Sequence, residues 1–489
     1  MDVHISLSGS GDLSERIYRQ LLEAIVDGRL QNGERLPPTR ELAVSLKVSR
    51  NTVAVAYERL NAEGFTTSRV GSGTYVSAQS LNRTVPRRAR RGAKLQINPV
   101  WEDLPHFGPL SMGRERYNFG VGIPDDGLFP WDIWRRIVSN IHAERLNGAN
   151  AYGFPAGHSS LRRAIARHIG ISRSVHAGVD DVLVTHGTQQ ALDIVCRVLI
   201  SKGSVVAVED PGYSPARRLF HSYGAKVEMV PVDEEGLIVD ELPNNARLIY
   251  TTPSHQFPLG MAMSLGRRSQ LIDWAEDHNA VIIEDDYDSE FRFDERSLEP
   301  LQSLDPDGRV IYLGTFSKTL LPMLRVGFLV APQILRGPLR SAKQLTDWHN
   351  ETITQIALAQ FMDDGHFARH LRRANRVYGE RHGIATKAVR DHLSGHLTML
   401  PSSAGLHICA IQRPDSPIDI EIVRELALQR GIAVQTLRSF IVRSMTRYGL
   451  VIGFGAIDAE DIEPGIGMLA DIFDEVASRG VIEQQAHLP

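Results

Sequence analysis

Apolar residues recur along the first 78 positions with helical period and then with strand period. Ile17, Leu21 and Ile25 fall four apart and mark one face of a helix, broken by Gly28 and Gly33. Pro37, Pro38 and Thr39 open a short second helix, RELAVSL, with Leu42, Ala43 and Leu46 inward. Ser49 stands where a third helix needs its N-cap; Val53, Tyr57 and Leu60 share a face of that helix, and Gly64 ends it. FTTSRVGSGTYVS then alternates β-formers about Gly71-Ser72-Gly73, the pattern of a hairpin. Beyond about residue 117 the pattern changes to short unbroken apolar runs separated by helical periods: DVLVT, SVVAVED, RLIYTT, AVIIED, RVIYLG and VGFLVA. Such runs predict buried strands of an α/β domain with a largely parallel sheet. From about Arg381 strands and helices mix as in a smaller α+β lobe.

Between these parts, Gln79 to Arg116 has no sustained period. It carries Arg83, Arg87, Arg88, Arg90, Arg91 and Lys94 with no acid among them, and Pro86, Pro99, Pro105 and Pro109. This predicts an extended, mobile linker. The expected organisation is therefore 1–78, linker 79–116, and 117–489. Charge follows the same division. Residues 1–95 carry 15 Lys and Arg against 9 Asp and Glu, whereas the rest carries 39 against 49. A basic front on an acidic body implies different partners for the two parts. Two cysteines, Cys196 and Cys409, form no CxxC pair; this fits a reducing cytoplasm and argues against a disulfide scaffold or a zinc module. No basic stretch leads into an apolar run at the N-terminus, and no run approaches the ~18 apolar residues of a membrane helix.

A short helix, a tight turn and a second helix form the helix-turn-helix pattern, in which the second helix enters the major groove. Here that helix opens with Ser49, Arg50, Asn51 and Thr52, side chains that reach bases and phosphates, while Arg40 starts the preceding helix. The hairpin with Arg69 would be a wing. From Ile17 to Val76, ERLPPTRELAVSLKVSRNTVAVAYERLNAEGF followed by GSGTYV resembles the winged-helix domain of the GntR family nearly end to end. One departure is Pro38, where that family commonly has Ser. The resemblance implies DNA contact for Arg40, Arg50, Asn51, Thr52 and Gly73.

A pyridoxal phosphate site for amines needs a lysine for the Schiff base, a carboxylate on the pyridinium nitrogen, a donor to the ring phenolate and a phosphate cradle. TFSKTLLPMLRVG places Lys318 directly after a strand, with Arg325 seven residues on. AVIIEDDYDSEF places Asp285 and Tyr287 on one face of a strand end, with Asp286 and Asp288 expected to face away. Gly187 and Thr188 open a helix after the strand DVLVT, a backbone anion site. In order and spacing these elements resemble the fold-type I aminotransferases from about Tyr117 to about Ser478. The resemblance implies Lys318 as the Schiff-base lysine, Asp285 as pyridinium partner and Tyr287 as phenolate donor. It implies a phosphate cradle of Gly187, Thr188, Thr315, Ser317 and Arg325, and Tyr213 stacked on the ring. TTPSHQFPLG resembles the loop that presents an asparagine to the phenolate; that asparagine is missing here, leaving His255 or Gln256 for the role. AYGFPAGHSSLR implies that Tyr152 reaches the phosphate of a neighbouring subunit, hence a dimer.

A winged helix, a basic linker and an aminotransferase-like body resemble the MocR/GabR family of transcriptional regulators. The resemblance implies a head-to-tail dimer on double-stranded promoter DNA whose body senses pyridoxal phosphate or an amino compound. A working aminotransferase is the alternative. Aminotransferases grip the substrate carboxylate with an arginine near the C-terminal strand; GLVIGFGAID has Gly449 or Leu450 there, with Arg438, Arg443 and Arg447 nearby.

Overall fold

The computed structural model describes residues 5–7, 12–69, 71–77, 97–103, 115–143, 152–293, 299–414, 416, 418–443 and 448–486, with backbone only from 479. The chain divides into two compact units, Met1–Ile97 and Asn98–Pro489. Residues 79–96 and 104–114, with the linker arginines, and Arg447 lie outside the described residues.

The first unit is three helices and a hairpin. Helix α1 (Leu13–Val26) starts on the Asp12 carboxylate, which accepts from the Ser14 amide, and buries Ile17, Leu21 and Ile25. Helix α2 (Thr39–Leu46) ends at Lys47, whose φ of 54° reverses the chain. Helix α3 (Arg50–Ala62) is capped by the Ser49 hydroxyl, which accepts from the Thr52 amide. Strands β1 (Thr66–Arg69) and β2 (Gly73–Val76) pair antiparallel. Leu36, Leu42, Val53, Leu60 and Val76 close one core with the α1 face. Tyr57 donates to the Pro37 carbonyl at 2.9 Å, which fixes α3 against the turn before α2.

The second unit opens with a short helix, Val100–Asp103, packed on the helix Ser214–Ser222. Part of the expected linker is thus docked on the body. Strand β3 (Tyr117–Asn118) follows. The large sheet comprises β4 (Val182–Thr185), β5 (Val205–Asp210), β6 (Lys226–Asp233), β7 (Gly236–Leu237), β8 (Ala246–Thr251), β9 (Val281–Asp286), β10 (Val310–Thr315) and β11 (Gly327–Val330), in the order β4-β11-β10-β9-β8-β5-β6-β7. From β10 to β6 the pairings are parallel; β11 runs antiparallel to β10 and β4, and β7 to β6. All six apolar runs are strands. Strand β6, KVEMVPVD, next to the two-residue edge strand β7, is half-exposed, and its mixed side chains hide it among the polar segments.

Alternate residues of the same strands feed two helical layers, as the two-residue strand period requires. Val182, Val184, Tyr312 and Phe328 pack towards the helices Trp131–Ala143, Ser159–Arg173 and Thr352–Asp363. Leu183, Ile311, Leu313 and Leu329 pack towards Gly187–Leu199 and Gln333–Asp347. The smaller lobe adds β12 (Leu397–Met399), β13 (His407–Gln412), β14 (Ile432–Ala433), β15 (Gln435–Thr436) and β16 (Gly449–Gly453); β12, β13, β16 and β15 form one sheet, and β14 pairs with β3. Its boundary is not at Arg381, because the helix His366–Leu393 runs through that position and already contributes Ala374 and Tyr378 to the lobe's core. Tyr117 and Phe119, from the other end of the unit, join the same core. Among the described residues no helix is long and apolar enough to cross a membrane.

Candidate functional site

Strand register brings the cradle together. Thr315 pairs with Gly327, and Gly327 with Thr185, so the ends of β10 and β4 lie on either side of β11. Ser317, Arg325 and Gly187 follow or precede these three positions by two residues. The Thr315 hydroxyl accepts from the Ser317 amide and donates to the Ser317 hydroxyl at 3.0 Å. Arg325 takes a left-handed φ of 50° and donates to the His186 carbonyl at 2.9 Å. Its guanidinium lies against Gly187, where an added Cβ would meet Nη2 at 3.2 Å; Gly187 itself has a φ of +74°. Gly187 and Thr188 head a 13-residue helix. A guanidinium beside the N–H end of a helix is suited to a phosphate.

Three adjacent acids at the end of β9 are all buried and find different partners. Glu284 accepts from the Leu301 and Gln302 amides at 2.9 and 3.0 Å. Asp286 accepts from Arg173 Nε at 2.9 Å and the Tyr312 hydroxyl at 2.6 Å. Burial works against its charge, but Arg173 and Tyr312 hold its carboxyl below the usual range. Asp285 points the other way. Its Oδ2 accepts from the Tyr250 hydroxyl at 2.7 Å, while Oδ1 is buried without a partner. Burial first, then Asp286 and Asp288, push it up to about 7, against the pull of Tyr250 and Lys318.

The strand ends at Asp286, and with it the alternation. Asp288 was expected to face away with Asp286. Instead the bend returns it to the Asp285 side, 2% exposed, with its oxygens 3.0 and 3.1 Å from His255 Nδ1. The Tyr287 hydroxyl lies 3.0 Å from the same nitrogen. Of the two loop candidates, His255 is therefore the one beside Tyr287. Gln256 is turned to its own loop and to the segment after β5, donating to the Phe257 and Pro211 carbonyls at 2.8 and 2.9 Å and accepting from the Leu259 amide at 3.1 Å. Tyr213 sets its ring edge-on to Phe257, with centroids 5.8 Å apart. Burial and the nearby Asp285 charge push its phenol up to about 12.

Lys318 lies three residues past β10 and donates from Nζ to the Gly122 carbonyl at 2.6 Å. Burial lowers its pKa; Asp288 and Asp285 oppose this, and Arg325 adds to it. A lowered pKa leaves more neutral amine at neutral pH, the form that attacks a carbonyl. Gly122, at φ +70°, makes room: a Cβ there would stand 2.9 Å from Nζ. Tyr152 is 78% exposed, its ring 4.8 Å from Trp348, and faces outward from the body. Strand β16 carries no basic residue. Arg438 and Arg443 are exposed, and the loop before β16 is fastened by Asp210, which accepts from the Val442 and Arg443 amides at 3.0 and 2.9 Å.

These residues fit pyridoxal phosphate. The vacant Oδ1 of Asp285 calls for a cationic N–H donor, which a pyridinium supplies, and the guanidinium–helix cradle accepts a phosphate. Sequence reasoning missed Tyr250, Arg173 and Gly122. Tyr250 could have been found two residues from the end of RLIYTT; the other two carry no local signal.

In the first unit, Arg40, Arg50 and Asn51 are exposed, and Arg50 Nε donates to the Thr39 hydroxyl at 3.4 Å. Arg50, Asn51 and Asn61 of α3 line a cleft with Ser68 and Thr74 of the hairpin. Thr52 is engaged by the Ser49 cap: its amide donates to the Ser49 hydroxyl at 3.1 Å, and the two hydroxyls lie 2.7 Å apart. Gly73, at φ +118°, lies where a Cβ would strike Arg35 Nε at 2.8 Å.

Comparison with known proteins agrees with both units. Residues 115–462 match the family model for aminotransferase class I and II, and residues 13–76 that for bacterial regulatory proteins of the gntR family. The chain is 36% identical over 483 residues to the probable rhizopine catabolism regulatory protein MocR of Rhizobium meliloti, covering 96% of this chain and 95% of that one. It is 31% identical to the pyridoxine biosynthesis transcriptional regulator PdxR of Corynebacterium glutamicum, covering 94% and 95%. Among solved structures, a Pyrococcus horikoshii kynurenine aminotransferase superposes with a TM-score of 0.69 at 27% identity, over 81% of this chain and 98% of that one. LysN of Thermus thermophilus, an α-aminoadipate aminotransferase solved with a phosphopyridoxyl-leucine, gives 0.68 at 29% identity, over 75% and 94%. The cofactor of this fold is pyridoxal phosphate, and the chain belongs to the MocR-type transcriptional regulators, which join a gntR-family DNA-binding domain to an aminotransferase class I and II body.

Proposed function

We propose that this regulator reads a small amino compound, or the cofactor itself, at Lys318 and reports it to DNA held by its winged helices. The observation that carries this reading is a full set of cofactor residues beside a β16 without an arginine. Lys318 is the covalent attachment point, Asp285 the partner of the ring nitrogen and Tyr287 the donor to the phenolate. Gly187, Thr188, Thr315, Ser317 and Arg325 hold the phosphate, with Tyr213 against the ring and His255 behind Tyr287. Bound pyridoxal phosphate supplies an electrophilic carbon for amines and an electron sink. Without a strand-borne clamp, an amine can be captured but its carboxylate is not fixed for fast proton removal.

On DNA, Arg40, Arg50, Asn51, Thr52 and Gly73 form the contact surface. Two copies bind head-to-tail; the outward-facing Tyr152 supports this, since a residue serving a second copy's phosphate must leave its own body. Ligand at Lys318 regulates only by favouring one of two arrangements of the winged helices. A coupling of about 1–3 kcal/mol changes operator affinity about 5–150-fold and acts equally in reverse. The test is a pair of titrations: amine affinity with and without operator, and operator affinity with and without amine, both changing by one factor. The lowered pKa of Lys318 favours a second reading, a working aminotransferase. Steady transfer of an amino group to a keto acid, with both affinities unchanged, would establish that reading and overturn the first.

A further inference from the structure

His255, Asp288 and His407 form a buried cluster at the back of Tyr287 for which the cofactor chemistry gives no role. Their possible ligand atoms lie within 4.8 Å of one another, a spacing compatible with a metal ion. Their hydrogen bonds describe something else. His407 Nε2 donates to the Pro258 carbonyl at 3.1 Å, and burial and the neighbouring His255 drive its pKa well below the ordinary value, so it is a neutral ring with a fixed tautomer. It lies against His255, with centroids 4.8 Å apart. Across the cluster stands Gly405, where a Cβ would come within 2.3 Å of His255 Nδ1 and 2.4 Å of an Asp288 oxygen. Gly405 thus brings the backbone of the smaller lobe directly against the pair, where any side chain would displace it.

Two groups compete for His255 Nδ1: the Asp288 carboxylate at 3.0 and 3.1 Å, which only accepts, and the Tyr287 hydroxyl at 3.0 Å. A ring nitrogen either carries a proton and donates or bears a lone pair and accepts; it does not do both. The bond to a carboxylate is charge-assisted and the stronger of the two. Burial first, then the Asp288 and Asp285 charges, raise the Tyr287 phenol well above its usual value, so its hydroxyl keeps its proton and must donate it elsewhere.

Resting on the assignment of Tyr287 above, we propose that Asp288 and His255 are a positioning pair: Asp288 holds the Nδ1 proton, denies Tyr287 that acceptor and turns its hydroxyl towards the cofactor phenolate. The pair thus takes over a positioning task at the loop that lacks the aminotransferase asparagine. His255 Nε2 is left facing the Ser402 hydroxyl at 3.4 Å. The experiment is a double-mutant cycle on the full chain loaded with pyridoxal phosphate, reading the absorbance maximum of the lysine-bound cofactor and its dissociation constant. Asp288→Asn should shift the maximum and weaken retention roughly tenfold, the scale of one hydrogen bond to a charged group. In a Tyr287→Phe background the same substitution should add nothing. An equal effect in both backgrounds, or none in either, overturns the proposal. Should Asp288→Asn fail to fold, His255→Asn is run through the same cycle and read the same way. A wild-type chain with no such band, or a Lys318→Ala chain that keeps it, would instead overturn the cofactor assignment beneath.

Discussion

Replacing Asp285 by asparagine should stabilise the cofactor-free protein above neutral pH and destabilise the loaded one. The carboxyl rises from 3.8 unfolded to about 7 folded. Between these values the unfolded chain has released the proton while the folded chain keeps it, so stability falls as pH rises, by about 1.4 kcal/mol per unit. Below pH 4 the group contributes nothing; above pH 7 the full cost is about 4 kcal/mol. Asparagine removes that cost and keeps the acceptor for Tyr250, but its amide meets the buried, partnerless position of Oδ1, which returns about 1–3 kcal/mol. The net gain at pH 8 is about 1–3 kcal/mol, and at pH 5 it vanishes or changes sign. For a body spanning Asn98–Pro489, an unfolding entropy of about 2 cal/mol/K per residue converts this to roughly 1–4 °C. Thermal melts of both proteins at pH 5 and 8, with and without pyridoxal phosphate, measure it. With saturating cofactor the order should reverse, since only the wild type gains the full ligand-linked stabilisation, about 2.7 kcal/mol at a hundred times Kd. A variant that is equally or less stable at pH 8 without cofactor, or a difference that ignores pH, would refute the reasoning.

Lys318→Ala should abolish the cofactor absorbance and leave far-UV circular dichroism unchanged; a surviving band would contradict the site. Arg50→Ala should lower operator affinity by about 1–3 kcal/mol and non-specific affinity much less, read by fluorescence anisotropy at two salt concentrations. Arg173→Leu leaves the Asp286 carboxylate buried without its cationic partner, the Tyr312 hydroxyl remaining, and should cost about 3–5 kcal/mol in urea denaturation. Because the folded pKa of Asp286 is depressed, that deficit should be largest above pH 4 and shrink in acid, as the carboxyl protonates and the wild type loses the same interaction.

The six buried strands and the first unit's three helices were legible because each is a run or a face several residues long, set by the period of its own backbone. Lys318, Asp285 and Tyr287 were legible as candidates because each lies at or within three residues of the end of a buried strand, β9 or β10. Asp288 was misread for a related reason: alternation extrapolates only while the strand lasts, and β9 stops at Asp286. Arg173 and Gly122 are brought in from 113 and 196 residues away, and nothing local marks such partners. Strand β6 was missed because most of its side chains are only partly buried, so its composition reads as polar.

The stretch from Tyr117 to Gly122 ties distant parts together by the backbone alone. Tyr117 and Phe119 donate their amides to the carbonyls of Gly431 and Ala433, and the Phe119 carbonyl accepts from Gly453. Five residues after Tyr117, the Gly122 carbonyl is the acceptor for Lys318. Once Nζ is committed to a covalent bond it can no longer serve that carbonyl as an ammonium donor. The released end lies on a ribbon of about 17 Å at full extension. That ribbon's other end is stitched into the smaller lobe and continues directly into the segment leading to the DNA-reading unit. Within the body, the covalent path from the carbonyl that holds Lys318 back towards the first unit therefore leaves through β3 and does not enter the large sheet.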